Sequence, residues 1–282
     1  MPHRQTVFGL NFSTLSQSEL ISAIANEPIL KGSGARSIHT ANLDHIVNLR
    51  HNQRLRAAYN KAWAVTADGA PVFVYARLCG ASLPARVTGA DLFAKVLGAL
   101  SLERSRCFFV AASEETARLL LAWSAARGFD PDSVSFEVPP FGFEKDAAYS
   151  TDLARRIAAH GTTHLFLGVG APKSEIWINE HRELLGDCYA LNVGAALDFF
   201  VGIKRRAPRA FQRFGLEWLW RFSCEPRRLF RRYFVDSWTF FAAVYDDILD
   251  WSGVRALAGM DGNFAGPKAA IQPLVSKRNS HP

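Results

Sequence analysis

The chain has 282 residues, 49% of them hydrophobic, and a formal net charge of +7 with a sequence pI near 9.4. This length and hydrophobic content allow one large domain, or one domain with an appendage, and they exclude disorder as the default state. The positive charge indicates an acidic partner, which nucleic acid, an anionic membrane or a phosphorylated ligand would supply.

Several other classes of protein are disfavoured by the sequence. Its four cysteines lie far apart and form no C-x-x-C pair, which argues against a zinc site and against a disulfide framework. We expect them to be buried, reduced thiols in the cytosol. The first residues carry no secretion signal, and no stretch has the roughly 18 uncharged apolar residues of a transmembrane helix. Membrane contact is therefore expected to be peripheral.

Short β-rich runs alternate with helical patterns through about residue 200. The predicted strands cover residues 6–10, 37–41, 62–66, 107–111, 134–138, 164–169 and 189–193. The predicted helices cover residues 17–26, 45–59, 90–100, 114–127, 147–160 and 173–184. Several strands are continuous apolar runs, as buried parallel strands are. The pattern predicts an α/β fold with a Rossmann-like, mostly parallel sheet and flanking helices.

The pattern changes near Gly202. Helices predicted over residues 208–214, 216–222 and 226–251 follow one another without a strand, and periodicity ends near Met260. We therefore predict an α/β domain at residues 1–202, a helical C-terminal appendage at 203–255 and a disordered tail at 256–282.

Polar loops follow two of the predicted strands, at the edge where open α/β sheets bind ligands. After the strand 37–41, Thr40 and Asn42 offer a hydroxyl and an amide for a sugar or phosphate, although Asn42 or Asp44 serves equally well as a helix cap. After the strand 62–66, Asp68 stands beside Gly69. Its carboxylate suits a general base, a metal ligand or a helix cap.

A third loop, after the strand 164–169, has the composition of a diphosphate-binding loop. It contains Gly168, Gly170, Pro172, Lys173, Ser174 and Glu175. Exposed N–H groups, a helix dipole and a lysine at a helix N-terminus all favour diphosphate. The third glycine of a G-x-G-x-x-G fingerprint is absent, which disfavours a NAD-dependent enzyme. Gly194, Arg86 and Gly89 are further candidate contacts, although Arg86 is as well explained as a solvated arginine.

The basicity is concentrated near the end of the chain. Residues 204–232 contain ten Lys and Arg against two Glu, a net charge of +8, which leaves about −1 for the remainder. Aromatic side chains are interleaved with these arginines. At 100° per residue, one face of the last predicted helix carries Phe230, Tyr233, Phe234, Ser237, Trp238 and Phe241. A basic amphipathic helix of this kind is typical of an interfacial membrane element, although its aromatic face could also pack on the α/β core.

Several motifs together resemble the WecG/TagA/CpsF family of glycosyltransferases (glycosyltransferase family 26). They are Ala67-Asp68-Gly69, Arg86-Val87-Thr88-Gly89, Gly168-Val169-Gly170-Ala171-Pro172-Lys173, Arg206-Ala207-Pro208, Leu216-Glu217-Trp218-Leu219-Trp220-Arg221 and Glu225-Pro226-Arg227-Arg228. The resemblance covers roughly residues 6 to 245, in order and at plausible spacing. One departure concerns the donor: the family usually carries Gln where this chain has Ser174, which puts the donor preference in question.

The resemblance implies an inverting glycosyltransferase that uses no metal or other cofactor. The donor would be a UDP-sugar (N-acetylmannosamine, its uronic acid or glucose), and the acceptor a polyprenyl-diphosphate-linked sugar in wall, surface or exopolysaccharide synthesis. By resemblance, Asp68 is the general base and Thr40 lines its pocket. Arginines of the appendage, by position Arg221, Arg228 and Arg231, would reach the active site and hold diphosphate.

The resemblance also implies a location. Residues 1–202 would bind the nucleotide sugar, and the appendage would associate with an anionic membrane at the inner face of the plasma membrane. We expect no nucleic-acid partner, although a nucleic-acid-binding protein is the alternative, because arginines and aromatic rings also bind single strands. The oligomeric state, including a homo-oligomer, stays open.

Overall fold

The computed structural model describes residues 6–213, 215–230 and 238–251. Within them lie the strands β1 Arg36–Ala41, β2 Ala64–Ala67, β3 Cys107–Val110, β4 Val134–Glu137, β5 His164–Leu167 and β6 Tyr189–Asn192. They form one sheet in the order β2-β1-β6-β5-β3-β4, and every neighbouring pair is parallel. The predicted α/β fold with a parallel sheet is confirmed.

Helices connect the strands and form the appendage. The helices of the α/β part are α1 Gln17–Asn26, α2 Leu43–Leu49, α3 Gln53–Asn60, α4 Ala70–Leu78, α5 Gly89–Ala99, α6 Glu114–Arg127, α7 Ala147–Ala159, α8 Lys173–Glu180 and α9 Ala196–Phe200. Those of the appendage are α10 Arg209–Arg213, α11 Glu217–Cys224, α12 Pro226–Phe230 and α13 Trp238–Trp251. The helices α1 and α6 have the predicted bounds.

Two predicted elements differ from the structure. Residues 6–10 are not a strand of the sheet: Val7 and Leu10 form an isolated bridge around a turn in which Phe8 and Gly9 have positive φ. The helix predicted over residues 45–59 is two helices. Asn52 interrupts it, because its side chain accepts a hydrogen bond from the Leu55 N–H and caps α3. The break lies in the polar run from Arg50 to Arg54, which the prediction of one helix passed over.

The sheet is covered on both faces, which explains its apolar strands. Along β5, Phe166 packs with α1, α5, α6 and α9, whereas Leu165 and Leu167 point to the other face, against α7 and α8. The helices α2, α3 and α4 continue that second face over β1 and β2. Successive strand residues point to opposite faces, so both rows must be apolar.

The last helix of the appendage packs against the α/β part near α2. Phe240 and Ala243 are buried there. The buried carboxylate of Asp247 accepts hydrogen bonds from the Phe8 N–H at 2.6 Å and the Tyr75 hydroxyl at 2.9 Å. A helix predicted as continuous over residues 226–251 is described only at its two ends, α12 and α13, since residues 231–237 lie outside the described part.

Two further expectations concern cysteines and membrane spans. All four cysteines are free thiols, and burial raises the pKa of Cys107 and Cys188 to about 12. The expected burial is wrong for the other two: Cys79 is only half-buried, and Cys224, the last residue of α11, is exposed. Within the described ranges, no helix combines the length and the apolar character that crossing a bilayer requires.

Candidate active site

Four adjacent strands carry the polar loops singled out from the sequence. The strands β2, β1, β6 and β5 are neighbours in that order, and each ends at the same edge of the sheet. The loops after them hold Asp68, Asn42, Gly194 and the 168–175 segment, respectively, and Thr40 lies near the end of β1 itself. Carboxyl ends of parallel strands are where open α/β sheets bind ligands. The fold therefore brings all four loops to one edge.

The backbone of Asp68 is fixed by hydrogen bonds, whereas its carboxylate is partly exposed. Its N–H donates to the Ala41 carbonyl at 2.9 Å, and its carbonyl accepts from the Arg86 guanidinium at 3.3 Å. The carboxylate Oδ2 accepts from the Gly89 N–H at 3.4 Å. The N-cap of α4 is Gly69, without a side-chain cap bond. Asp68 therefore does not cap α4, and its carboxylate faces α5 at the sheet edge.

Thr40 and Gly89 meet beside that carboxylate. A Cβ on Gly89 would lie 3.3 Å from the Thr40 hydroxyl oxygen. Thr40 is buried, and Thr88 caps α5 through the Asp91 N–H. The first turn of α5 therefore seats directly on the end of β1. The structure therefore places two of the predicted site residues, Thr40 and Asp68, against a third, Gly89.

The 168–175 loop presents an uncapped helix end. The N-cap residue of α8, Pro172, follows a cis peptide bond and makes no side-chain cap bond. A Cβ on Gly168 would lie 2.5 Å from Leu197 and 3.2 Å from the Gly194 carbonyl, so only glycine fits there. Gly170 has φ of +92°, which also favours glycine. The half-buried Lys173 begins α8, so a cation and the helix dipole coincide at this point.

Other predicted contacts point inward. The Ser174 hydroxyl donates to the Gly170 carbonyl at 3.0 Å, and Glu175, 3% exposed, lies 3.4 Å from His45 Nε2. The Asn42 side chain accepts from the Asp44 and His45 N–H groups, so Asn42 is the cap of α2. The carboxylate of Glu175 thus lies beneath the site and not on its surface, because burial in the α8 interface removes it from the sheet edge.

Arg86 is bonded rather than solvated, and besides the Asp68 carbonyl its partners come from the appendage. Its guanidinium donates to the Gln212 carbonyl at 2.6 Å and lies 4.0 Å from the Glu217 carboxylate. The same carboxylate lies 3.6 Å from Arg206. Arg206 in turn bonds Asp91 at 2.7 Å. The start of the appendage is therefore connected to the edge that holds Asp68.

The appendage also approaches Asp68 through a glycine. Gly215 has φ of +71°, and a Cβ there would lie 2.5 Å from the Ala70 side chain. Ala70 is two residues after Asp68, and α11 begins two residues after Gly215. Of the three arginines expected at the site, Arg221 and Arg228 lie in α11 and α12 with side chains outside the described part, and Arg231 lies outside the described residues. Their role stays a prediction.

Three residues near the site were not predicted as site residues from the sequence. Phe141 is fully exposed, and the Lys173 ammonium lies 5.5 Å from its ring centre. Asp91 and Arg206 form the ion pair described above. The signal for Phe141 was its position between Pro140 and Gly142, directly after a predicted strand, but no local pattern shows that this loop meets Lys173. The pairing of Asp91 with Arg206 spans more than a hundred residues, which no spacing indicates.

Comparison with known proteins identifies the family. The family model described as Glycosyl transferase WecG/TagA/CpsF family matches residues 5–252, most of the chain. The chain belongs to this family. A relative from Bacillus spizizenii, named N-acetylglucosaminyldiphosphoundecaprenol N-acetyl-beta-D-mannosaminyltransferase, is 29% identical over 221 residues, which cover 78% of the chain and 82% of the relative. A Staphylococcus aureus protein of the same name is 23% identical over 229 residues, or 80% and 86%.

As a WecG/TagA/CpsF protein, the chain is a glycosyltransferase. The match runs from the first core residues through α13, so it includes both the sheet edge and the appendage. The two relatives are named for transfer onto a diphosphoundecaprenol-linked sugar. Three of the motifs that carried the resemblance, at residues 67–69, 86–89 and 168–173, lie at this edge, and the other three belong to the appendage.

Proposed function

We propose that this glycosyltransferase moves N-acetylmannosamine from its UDP conjugate to N-acetylglucosamine on a polyprenyl diphosphate. The observation that carries the proposal is the pairing, on one sheet edge, of a partly exposed Asp68 carboxylate with the uncapped, lysine-bearing start of α8. The carboxylate can remove a proton, and the start of α8 can stabilise the negative charge of a departing diphosphate. The sugars come from the names of the relatives. UDP as the carrier comes from the family resemblance.

The proposed reaction is a single displacement. Asp68 accepts the proton of the acceptor hydroxyl while that oxygen forms a bond to the anomeric carbon of the donor sugar. The bond between the anomeric carbon and the diphosphate oxygen breaks, and UDP leaves with the electron pair. Attack opposite to the leaving group inverts the anomeric configuration. Asp68 then loses its proton to water.

The leaving UDP requires positive charge at the phosphate side. Lys173 and the N–H groups at the start of α8 provide it in the described part of the chain. The exposed ring of Phe141 beside Lys173 offers a face on which the nucleobase would stack. The appendage arginines Arg221, Arg228 and Arg231 would add charge from the acceptor side, since α11 starts close to Ala70. No step in this scheme assigns a role to a metal ion.

The acceptor lipid requires that the enzyme work at a membrane. We propose that the appendage binds an anionic surface as a peripheral element at the inner face of the plasma membrane. Trp238, Phe241, Tyr245 and Ile248 are all roughly half or more exposed on one side of α13. Aromatic and aliphatic side chains beside an arginine cluster favour a headgroup boundary. Each arginine near an anionic leaflet contributes about 1 kcal/mol.

The experiment is a transfer assay with three donors. Purified protein is mixed with a short-chain prenyl-diphospho-N-acetylglucosamine in vesicles and with UDP-N-acetylmannosamine, its uronic acid or UDP-glucose, with and without EDTA. We expect N-acetylmannosamine transfer, inverted by NMR and unchanged by EDTA. Transfer of only another sugar would correct the donor, and transfer of none would refute the proposed function.

A binding comparison separates the membrane from nucleic acid. The protein is titrated with anionic vesicles and with single-stranded DNA at the same salt concentration. Vesicle binding that falls as salt rises is the expected result. Binding to DNA alone would favour the alternative function in strand recognition.

A further inference from the structure

A buried polar cluster lies directly beneath the candidate site. It consists of His39 on β1, His45 on α2, Tyr59 on α3 and Glu175 on α8, none more than 8% exposed. The rings of His39 and Tyr59 lie 4.9 Å apart, and those of His45 and Tyr59 lie 6.2 Å apart. A buried carboxylate destabilises a protein unless it has a partner. This cluster therefore needs an explanation beyond packing.

His45 is the partner of the Glu175 carboxylate. The distance from His45 Nε2 to Glu175 Oε1 is 3.4 Å, and both side chains are about nine-tenths buried or more. Burial raises the pKa of Glu175, but the hydrogen bond from His45 and the nearby imidazoles of His45 and His39 lower it further, so the pKa lies below its ordinary value. Glu175 is thus a buried anion, two residues after Lys173.

The other nitrogen of His45 has a different partner. Its Nδ1 lies 3.3 Å from the backbone N of Asn42, and an N–H can only donate. Nδ1 is therefore the acceptor, and the proton of the neutral ring is on Nε2, where it points at Glu175. The imidazole thus connects two groups that have no bond with each other: the end of β1 and the first turn of α8.

From Asn42 the connection continues to Asp68. A Cβ on Gly69 would lie 3.4 Å from both the Cα and the Cβ of Asn42. The Asp68 N–H is bonded to Ala41, the residue before Asn42. A shift of Asn42 therefore displaces the loop that carries Asp68, and a shift of Glu175 displaces the start of α8.

We propose that His45 is a positioning residue that sets the carboxylate of Asp68 relative to the diphosphate end of α8. This inference rests on the proposed function and adds to it a residue that touches neither substrate. An error of about 1 Å between reacting groups costs on the order of 10²-fold in rate, so a buried link across the site has a large effect. Loss of the His45 contacts should lower turnover and leave the affinity for UDP nearly unchanged, because Lys173 and the α8 dipole remain.

Two substitutions of His45 each remove one of its two hydrogen bonds. His45→Asn retains an acceptor near the position of Nδ1 and loses the donor to Glu175, whereas His45→Gln retains a donor toward Glu175 and loses the acceptor for Asn42. His45→Ala loses both. We expect kcat to fall about tenfold for each half-variant and on the order of 10²-fold for His45→Ala, with the Kd for UDP by calorimetry within about threefold of wild type.

A matched control is His164, another buried histidine, at the amino end of β5, where its Nε2 bonds the Ile24 carbonyl at 2.9 Å. His164→Asn and His164→Ala should lower the melting temperature as the His45 variants do and leave kcat within about twofold. The inference would be overturned if the His164 and His45 variants lost kcat equally, or if the His45 variants lost none. In either case the proposed function would stand as long as the wild-type protein is active.

A second measurement does not depend on activity. In ¹⁵N NMR of the full chain, the His45 ring should show a bare Nδ1 and a protonated Nε2, and Glu175→Gln should shift the amide signals of Asn42 and Gly69. A ring protonated on Nδ1, or changes confined to α8, would refute the link. Inactivity of wild type with all three donors, by contrast, would refute only the proposed function.

Discussion

The α/β core and the appendage differ in where their large apolar side chains lie. In the core, Trp177, Phe93 and Phe166 are less than 2% exposed, because each helix there has the sheet to cover its apolar side. In the appendage, Trp238, Phe241 and Tyr245 are 63–70% exposed. Exposed apolar surface costs roughly 25 cal/mol per Å² compared with burial. Exposed apolar side chains that lie close together mark a surface that binds a partner.

The helix α13 has one buried side and one exposed side. Phe240, Ala243 and Asp247 face the core and are buried, whereas the neighbouring Phe241 and Tyr245 face outward. The appendage is therefore not a detached tail: Asp247 bonds both the N-terminal segment and α4. Deleting all residues after about 203 would uncover the apolar surface under Phe240. Single substitutions on the two sides of α13 separate anchoring from membrane binding more cleanly than truncation.

The largest effect is expected in the core, at Asp68. Asp68→Asn removes the base while keeping the size of the side chain, so we expect transfer to fall on the order of 10³-fold, within the range for general bases. UDP affinity and the free energy of unfolding should change little, since the Gly89 N–H contact survives with an amide oxygen. The measurement is kcat with the lipid-linked acceptor, with UDP calorimetry beside it.

The control for that substitution is Asp152→Asn, an exposed carboxylate on α7 whose ion pair is with Arg156. It loses the same charge far from the sheet edge and should keep full turnover. If Asp68→Asn also kept wild-type turnover, Asp68 would not be the base, and the chemistry of the core would have to come from another group.

The sequence predicted those parts of the fold that depend on local pattern. The apolar run His164–Leu167 and the capped helix Glu114–Arg127 were predicted because burial and capping depend on neighbouring residues. The position of Asp68 at a strand end followed in the same way. Glu175 was predicted as a substrate contact of the 168–175 loop, but its side chain is buried. Its burial against His45 depends on α2 packing beside α8, which no short pattern shows.

The second-largest effect is expected on stability, at the inward side of α13. Phe240→Ala leaves a cavity beside Phe8, whose ring lies 5.7 Å away, and should lower the free energy of unfolding by about 3 kcal/mol. The adjacent Phe241→Ala, at 65% exposure, should change it by less than about 0.5 kcal/mol. Urea unfolding of both variants checks the difference. Equal losses would mean that α13 does not divide into two sides.

A smaller effect is expected on membrane binding, from the outward side. Trp238→Ala and Phe241→Ala should each weaken binding to anionic vesicles about tenfold, equivalent to about 1.4 kcal/mol of lost burial per side chain. Phe240→Ala should not, provided that the protein is kept below its melting temperature. The control outside the appendage is Leu30→Ala, which is 75% exposed between α1 and β1. If Leu30→Ala weakened vesicle binding as strongly, the exposed side of α13 would have no special role.

The smallest effect is expected where core and appendage join, at the Asp91–Arg206 ion pair. Burial raises the pKa of Asp91, but the hydrogen bonds from Arg206 and Thr88 outweigh it, so the pKa lies below its ordinary value of 3.8. Stabilisation from this carboxylate is therefore complete above about pH 4 and is lost as pH falls through the lower folded-state value. The pair is partly exposed, so Asp91→Asn should cost only about 0.5–1 kcal/mol at pH 7. The difference between wild type and Asp91→Asn in urea unfolding should narrow at pH 3, whereas a constant difference would mean that the carboxylate charge does not connect the two regions.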